Sequence, residues 1–197
     1  GRMTVSYNTY MGWQQPTDKP KYLGALDFLE NDGESTQAFI DEYRANIGDP
    51  DRYPDTDWVE RLFTENGFMQ YHQIAARGGS EALRLGASIS YQDQDGNIPN
   101  FNFKRYNARF NSDIKVSDKF NVNFDLNFNK SENTESSAGL WLITQQAFRI
   151  PPIYIAQHSD GQWGFAWGGR NPIAHANDNG LNVVDDNYFR GILKLNY

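Results

Sequence analysis

Residues 120–129 read FNVNFDLNFN. Phe120, Val122, Phe124, Leu126 and Phe128 alternate without a fault with Asn121, Asn123, Asp125, Asn127 and Asn129. Successive side chains of a β-strand point to opposite faces, so this period of two predicts a strand with one apolar and one polar face. Asparagine is disfavoured in strands, yet the chain holds 20 of them among 197 residues. Their placement on one face is therefore informative: amide side chains both donate and accept, and can bond one another across a hydrated surface.

The same alternation, less perfect, runs through five other segments, and predicts strands at about 3–13, 68–77, 82–92, 103–116, 119–130 and 188–197. Residues 82–92 set Leu83, Leu85, Ala87, Ile89 and Tyr91 against Arg84, Gly86, Ser88 and Ser90. Residues 103–116 set Tyr106, Ala108, Phe110, Ile114 and Val116 against Arg105, Asn107, Arg109, Asn111 and Asp113. The last segment sets Phe189, Leu193, Leu195 and Tyr197 against Arg190, Lys194 and Asn196.

A soluble sheet covered on one side would also alternate. Three features favour a membrane. Strands of about 11 residues, tilted about 40°, rise about 28 Å, close to the apolar band of an outer-membrane barrel. The polar face carries Asn, Arg, Ser and Asp, which suits a water-filled bore. The connections alternate in length: outer loops at 14–67, 93–102 and 131–187, with tight turns at Gly78–Glu81 and Ser117–Lys119. Short turns at one end and long loops at the other are the barrel pattern. Gly78-Gly79 suits the positive φ of a tight hairpin, and Ser117-Asp118 suits a side-chain-bonded turn.

The long loops carry helical patterns at 23–30 and 36–47, where Gly48 and Pro50 end the second. Asp57 and Glu60 form a capping box opening a third helix to about Thr64. Leu140, Ile143, Ala147 and Phe148 define a fourth, stopped by Pro151-Pro152.

Composition narrows the function. With 18 basic against 25 acidic residues, a net charge of −7 and a pI near 4.9, the chain lacks the basic surface that nucleic acid requires. It has no cysteine, and His72, His158 and His175 are too dispersed for a metal motif. No cofactor or metal is expected, and no catalytic set is visible, so the chain is not expected to be an enzyme. Asp93-Gln94-Asp95-Gly96-Asn97 starts like a calcium loop but lacks the bidentate Glu, since position 102 is Asn. Asp49, Asp51, Asp55 and Asp57 cluster in DPDRYPDTD, where caps and turns account for them.

Several phrases resemble one family. VSYNTYMGWQQPTDKPKYLGALDFLE, YPDTDWVERLF, RGGSEALRLGASISYQDQDGNI, FKRYNARFNSDIKVSDKFNVNFDLNFNKSEN and NPIAHAND are similar to barrel strands and outer loops of the starch-utilisation-type (SusC/RagA) TonB-dependent outer-membrane transporters. The resemblance implies an all-β chain: about six strands of a large antiparallel transmembrane β-barrel, with long, partly helical extracellular loops. It also implies a piece of such a transporter, starting just after the plug, with no plug domain of its own. The implied setting is the cell outer membrane. There the complete protein imports glycans or peptides with a SusD-like surface lipoprotein as lid, and is driven by TonB through the plug. The implied partners are that lipoprotein, TonB, the remainder of its own barrel, outer-membrane lipid and the cargo. The alternative is a soluble carbohydrate-binding β-domain.

On this reading Leu83, Leu85, Ile89, Phe110, Phe120, Val122, Phe124, Leu126, Phe128, Leu193 and Leu195 face lipid. Arg84, Arg105, Asn107, Arg109, Asn121, Asn123, Asp125, Asn127, Arg190 and Lys194 face the lumen, where the cations have Asp113, Asp125 or plug carboxylates as partners. Trp163, Phe165 and Trp167 alternate in GQWGFAWGGR, with Arg170 after and Tyr154 before. Flat aromatics beside hydrogen-bonding groups suit sugars, and equally peptide or the lid; a hairpin packing the loop on itself is the reading the pattern favours.

Overall fold

The computed structural model describes residues 2–64 and 66–197. Six strands form one antiparallel sheet in sequential order: β1 Thr4–Gln14, β2 Gly67–Gly79, β3 Leu83–Asp95, β4 Asn102–Ser117, β5 Phe120–Ser136 and β6 Leu181–Asn196. Among the described residues five α-helices and one 3-10 turn, Trp167–Gly169, lie in the connections: α1 Ala25–Asn31, α2 Gln37–Asn46, α3 Trp58–Leu62, α4 Leu140–Ala147 and α5 Pro172–Asn177.

The register sorts side chains into rows. On one face run Leu83–Ile114–Val122–Leu195, then Leu85–Ser112–Phe124–Leu193, Ala87–Phe110–Leu126–Gly191 and Ile89–Ala108–Phe128–Phe189. Above them come Tyr91–Tyr106–Lys130–Asn187 and then Asp93–Lys104–Glu132–Asp185. From Val116 to Tyr106 is ten residues, about 33 Å along the strand and about 25 Å in height at a tilt near 40°. The apolar face is thus one bilayer core tall and gives way to tyrosines, then to charge.

The opposite face is a lattice of polar side chains bonded between strands. Asn129 Nδ2 donates to Asn107 Oδ1 at 2.6 Å, and Asn107 Nδ2 to Ser90 Oγ at 3.2 Å. Asn123 Nδ2 donates to Asp113 at 2.6 Å, Asn111 Nδ2 to Asp125 at 2.7 Å and Arg105 to Gln92 at 2.9 Å. Cross-strand neighbours sit about 5 Å apart, a spacing that short amides can bridge. The asparagines are tolerated in strands because their polar atoms find partners sideways rather than on their own backbone.

β2, β3 and β4 run one to three residues past their expected bounds, and two strands run much further. β5 continues past residue 130 to Ser136, and β6 begins at Leu181 rather than 188. Apolar alternation marks only the stretch with an apolar face, whereas the backbone ladder needs only a partner strand; Ser131–Ser136 pairs with Leu181–Asp186.

Of the Gly78-Gly79 pair only Gly79 has positive φ, +149°, and a Cβ there would lie 2.0 Å from the Leu83 carbonyl oxygen. At the other turn Ser117 Oγ accepts from the Lys119 N–H, and Lys115 pairs with Asp118 at 2.6 Å.

Candidate functional site

The helices cover neither face of the sheet. They pack with one another at the loop end, where all three outer connections share one core. Trp58 and Leu62 come from the first connection and Ile98 from the second; Ile143, Ala147, Ile150, Ala156 and Ile173 come from the third. Leu62 and Ile143 are 1% and 0% exposed. A second, smaller core joins α1 to α2 through Ala25, Leu29, Ile40 and Tyr43.

Polar bonds lock the connections together. Thr56 donates from its backbone N–H to the Pro152 carbonyl (2.9 Å) and from Oγ1 to the Tyr154 carbonyl (2.8 Å). Trp58 Nε1 donates to the Pro151 carbonyl at 3.1 Å, which explains how a fully buried tryptophan satisfies its N–H. Asn100, at a φ of +64°, donates from Nδ2 to the Ala176 and Asn177 carbonyls at 2.9 Å each.

The four aspartates of the first connection serve separate ends. Asp55 accepts from the Ala25 N–H at the start of α1, and Asp57 accepts from the Glu60 N–H at the start of α3. Glu60 does not close the capping box; its carboxylate pairs with Lys19 instead. Asp49 accepts from the Asp51 N–H. Asp51 reaches the third connection, accepting from Ser159 Oγ at 2.5 Å, the Ser159 N–H at 2.9 Å and His158 Nδ1 at 3.1 Å. Those bonds, the Ser159 hydroxyl first, hold the Asp51 carboxyl below its ordinary 3.8. A depressed carboxyl stabilises the folded loops above its unfolded value and stops doing so as pH falls through the lowered one. Protease cleavage near residues 51 and 159 is therefore expected to be flat from pH 8 to pH 5 and to rise only below about pH 4. Asp51→Asn should bring that cleavage to neutral pH. In the smaller core, burial and then the nearby Asp55 push Tyr43 up to about 12.

Asp93 and Asp95 are both held by the Asn102 amide, at 2.9 and 2.7 Å, and Asn97 accepts from the Gly67 N–H. This is a side-chain-tied exit from β3. Among the described residues no group of carboxylates or histidines is arranged to hold a metal.

The aromatic hairpin divides between two environments. Tyr154 and Trp163 pack against the shared loop core, and Trp163 Nε1 donates to Asp178. Phe165 is 84% exposed and Trp167 51%, with Arg170 also at the surface. Phe165 lies over Gly169, whose absent Cβ would sit 3.0 Å from the ring. So Phe165, Trp167 and Arg170 are exposed, while Tyr154 and Trp163 are held against the loop core. A separate cavity of about 160 Å³ opens between the first and third connections, lined by Tyr22, Leu23, Phe28, Trp58, Phe148 and Pro152. Tyr22 stacks on Phe148 at its mouth, 6.2 Å between centroids.

Sequence reasoning missed Asn171. It is 4% exposed, caps α5 by accepting from the Ile173 and Ala174 N–H groups at 3.1 Å, and donates to the Ala156 and Gly164 carbonyls at 2.6 and 2.9 Å. The signal was present: Asn followed by Pro is the pattern of an N-cap and first helical turn. Asn171→Ala is expected to cost about 2–4 kcal/mol through four lost bonds around buried groups. Hydrogen exchange over residues 155–178 should rise, with the strand amides unchanged.

No family model matches the chain. TonB-dependent receptor P26 of Formosa agariphila is 26% identical over 200 residues, covering 98% of this chain and 19% of that protein. TonB-dependent receptor SusC of Bacteroides thetaiotaomicron is 26% identical over 130 residues, 60% of this chain and 13% of that protein. A solved structure of the RagAB peptide importer in its closed-closed state matches with a TM-score of 0.60 and 21% identity, covering 82% of this chain and 22% of that one. The chain thus spans about a fifth or less of the length of the curated relatives it matches. A single antiparallel sheet roofed at one end by interlocked loops agrees with these likenesses: the chain is similar in sequence to part of TonB-dependent receptors, and in fold to a stretch of the barrel in the RagAB importer.

Proposed function

We propose that the complete protein is an outer-membrane importer of glycans or peptides that works with a SusD-like surface lipoprotein and draws energy from TonB. This stretch supplies barrel wall and the roof of three outer loops, with no catalytic role. One observation carries the reading: the apolar face has nothing over it. Phe128, Ile89, Leu193, Leu195 and Phe189 are 40%, 60%, 61%, 62% and 66% exposed. In water such a face would aggregate; in a bilayer it is the solvated surface, and the hydrogen-bonded polar face lines the bore. A soluble carbohydrate-binding domain would bury this face beneath a second layer.

The free edges of β1 and β6 support the same reading. Unpaired strand edges are not tolerated in lipid, so further strands of the same barrel must pair with them. At the roof, Phe165, Trp167 and Arg170 are the groups offered to cargo or to the lid. The test is fractionation and uptake with the full-length protein. It should sediment with outer membranes and leave them only in detergent, and cells carrying it should take up glycan or peptide when the TonB system is intact. Recovery in the supernatant of a high-speed spin without detergent would overturn the reading.

A further inference from the structure

The apolar face of the sheet is not flat. Ala108 stands in register between Ile89 and Phe128, and its short side chain leaves a depression of about 380 Å³ between those larger ones. Tyr91 and Tyr106, 5.0 Å between centroids, close the depression on the side of the outer loops. Tyr7 and Ile74 extend it toward β1. Polar atoms at the rim already have partners. Tyr7 Oη bonds His72 Nδ1 at 2.6 Å, His72 Nε2 lies 3.2 Å from Gln70 Oε1, and Tyr91 Oη donates to Asp93 at 2.9 Å. The depression therefore offers an occupant chiefly hydrocarbon contact, and its walls forfeit dispersion for as long as it stays empty.

Beyond the tyrosines the same face carries charge of both signs without internal pairing. Lys104 and Glu132 lie directly opposite in register, yet they form no ion pair, and neither charged end has another partner among the described residues. Lys130, beside Tyr106 in register, reaches Asp185 only at 3.9 Å. Asp93 is occupied by Tyr91 and by the Asn102 amide. Diagonal cross-strand neighbours stand about 7–8 Å apart, so Lys104 and Lys130 can both reach one phosphate between them, while Glu132 is left for a positive group. Lysine binds phosphate as a point charge on a flexible stem.

We propose that this part of the wall is a binding site for one lipid of the phosphoethanolamine class. An acyl chain fills the Ala108 depression, the phosphate sits between Lys104 and Lys130, and the ammonium meets Glu132. The proposal rests on the reading of the apolar face as bilayer-facing and goes beyond it. Bulk lipid needs only an apolar surface, whereas here a hollow of chain width ends at a headgroup patch of matching charge. That patch selects the head: an anionic lipid would set like charge against Glu132, and a choline head has no N–H to donate to it.

The experiment is native mass spectrometry of the full-length receptor, delipidated in detergent and titrated with phosphatidylethanolamine, phosphatidylglycerol or phosphatidylcholine of identical chains. One phosphatidylethanolamine should be retained about tenfold more tightly than either competitor, the scale of two exposed charge pairs. Lys104→Gln with Lys130→Gln should remove most of that retention, and Glu132→Gln should erase the margin over phosphatidylglycerol. Ala108→Phe fills the depression and should release the lipid. Ala87→Phe, one row nearer the tight turns on the same face, should leave it bound. The headgroup variants lie at the charged rim and keep the proposal testable should Ala108→Phe fail to fold. Equal retention of the three lipids by the unaltered receptor would overturn the site, as would Ala87→Phe and Ala108→Phe acting alike. A preference for phosphatidylglycerol would overturn it too, because the site would then read negative charge alone. None of these results touches detergent-dependent extraction or uptake by the unaltered receptor, so the lipid site and the transport reading fail separately.

Discussion

Leu126→Arg is expected to destabilise the barrel by about 2–4 kcal/mol, whereas Asn187→Arg on the same face should cost no more than about 1 kcal/mol. Both side chains project from the apolar face, and they differ in height. Leu126 lies in the row Ala87–Phe110–Leu126–Gly191, close to midway between Val116 and Tyr106. Asn187 lies in the tyrosine row, beside Lys130. An arginine at mid-height must either hold its charge in hydrocarbon or bend the bilayer toward it, while one at the tyrosine row reaches water directly. The measurement is urea-dependent folding of the full-length protein into phosphatidylcholine vesicles. Equal costs for the two substitutions would mean that no lipid slab covers that face, and the transport reading would fall with it.

Trp58→Ala is expected to loosen the whole roof by about 3–5 kcal/mol, the range for truncating a buried tryptophan. Trp58 is 3% exposed, packs with residues of the second and third connections, and donates its N–H to the Pro151 carbonyl. Its loss leaves a cavity and removes one of the two donors to the Pro151 carbonyl, which keeps the Tyr154 N–H. Because the three connections share one core, hydrogen exchange should quicken in all three at once, including the second around Ile98, while amides of the strand ladder keep their protection. Quickening confined to the first connection would show that the loops are independent bodies. On the proposed reading a rigid roof matters, because the exposed Phe165, Trp167 and Arg170 would present a constant face to cargo or lid only if the loop beneath them is fixed.

The legible part of this protein is the part governed by local rules. Residues 120–128 announce a strand because a period of two is a property of the strand itself, and the same rule reaches β3 and β4. Asp57 announces α3, and the stripe of Leu140, Ile143 and Ala147 announces α4, because capping and helical periodicity act within one turn or two. The Asn-Pro pair at 171–172 obeyed an equally local rule and went unused, so α5 was missed for want of applying it. The aromatic triplet at 163, 165 and 167 shows where local rules stop. Alternation left both a contact surface and a hairpin packed on itself open; Trp163 turns inward because Asp178 and the shared core are there to receive it.

Strand lengths mark a similar boundary. The ends of β5 and β6 were misjudged because apolar alternation reports contact with an apolar environment, and backbone pairing continues for as long as a neighbouring strand lies alongside. Asp51 is the clearest long-range case. Four aspartates close together in sequence look equivalent, yet only the folded chain brings Ser159 and His158, over a hundred residues away, to one of them.

What the residues alone determined, then, is the two-sidedness of the sheet and the placing of long and short connections. Both follow from side-chain alternation and turn chemistry over a few positions. What only the tertiary structure decided is which side chains from distant loops meet, and which charges are left without partners. Register brings Arg77, Gly86 and Asn111 into one row, and packing gathers Trp58, Ile98 and Ile143 into one core. The physical reason is range: dihedral preference and hydrogen-bonded turns act between near neighbours, whereas burial and electrostatic pairing depend on whatever the closed chain places within a few ångströms.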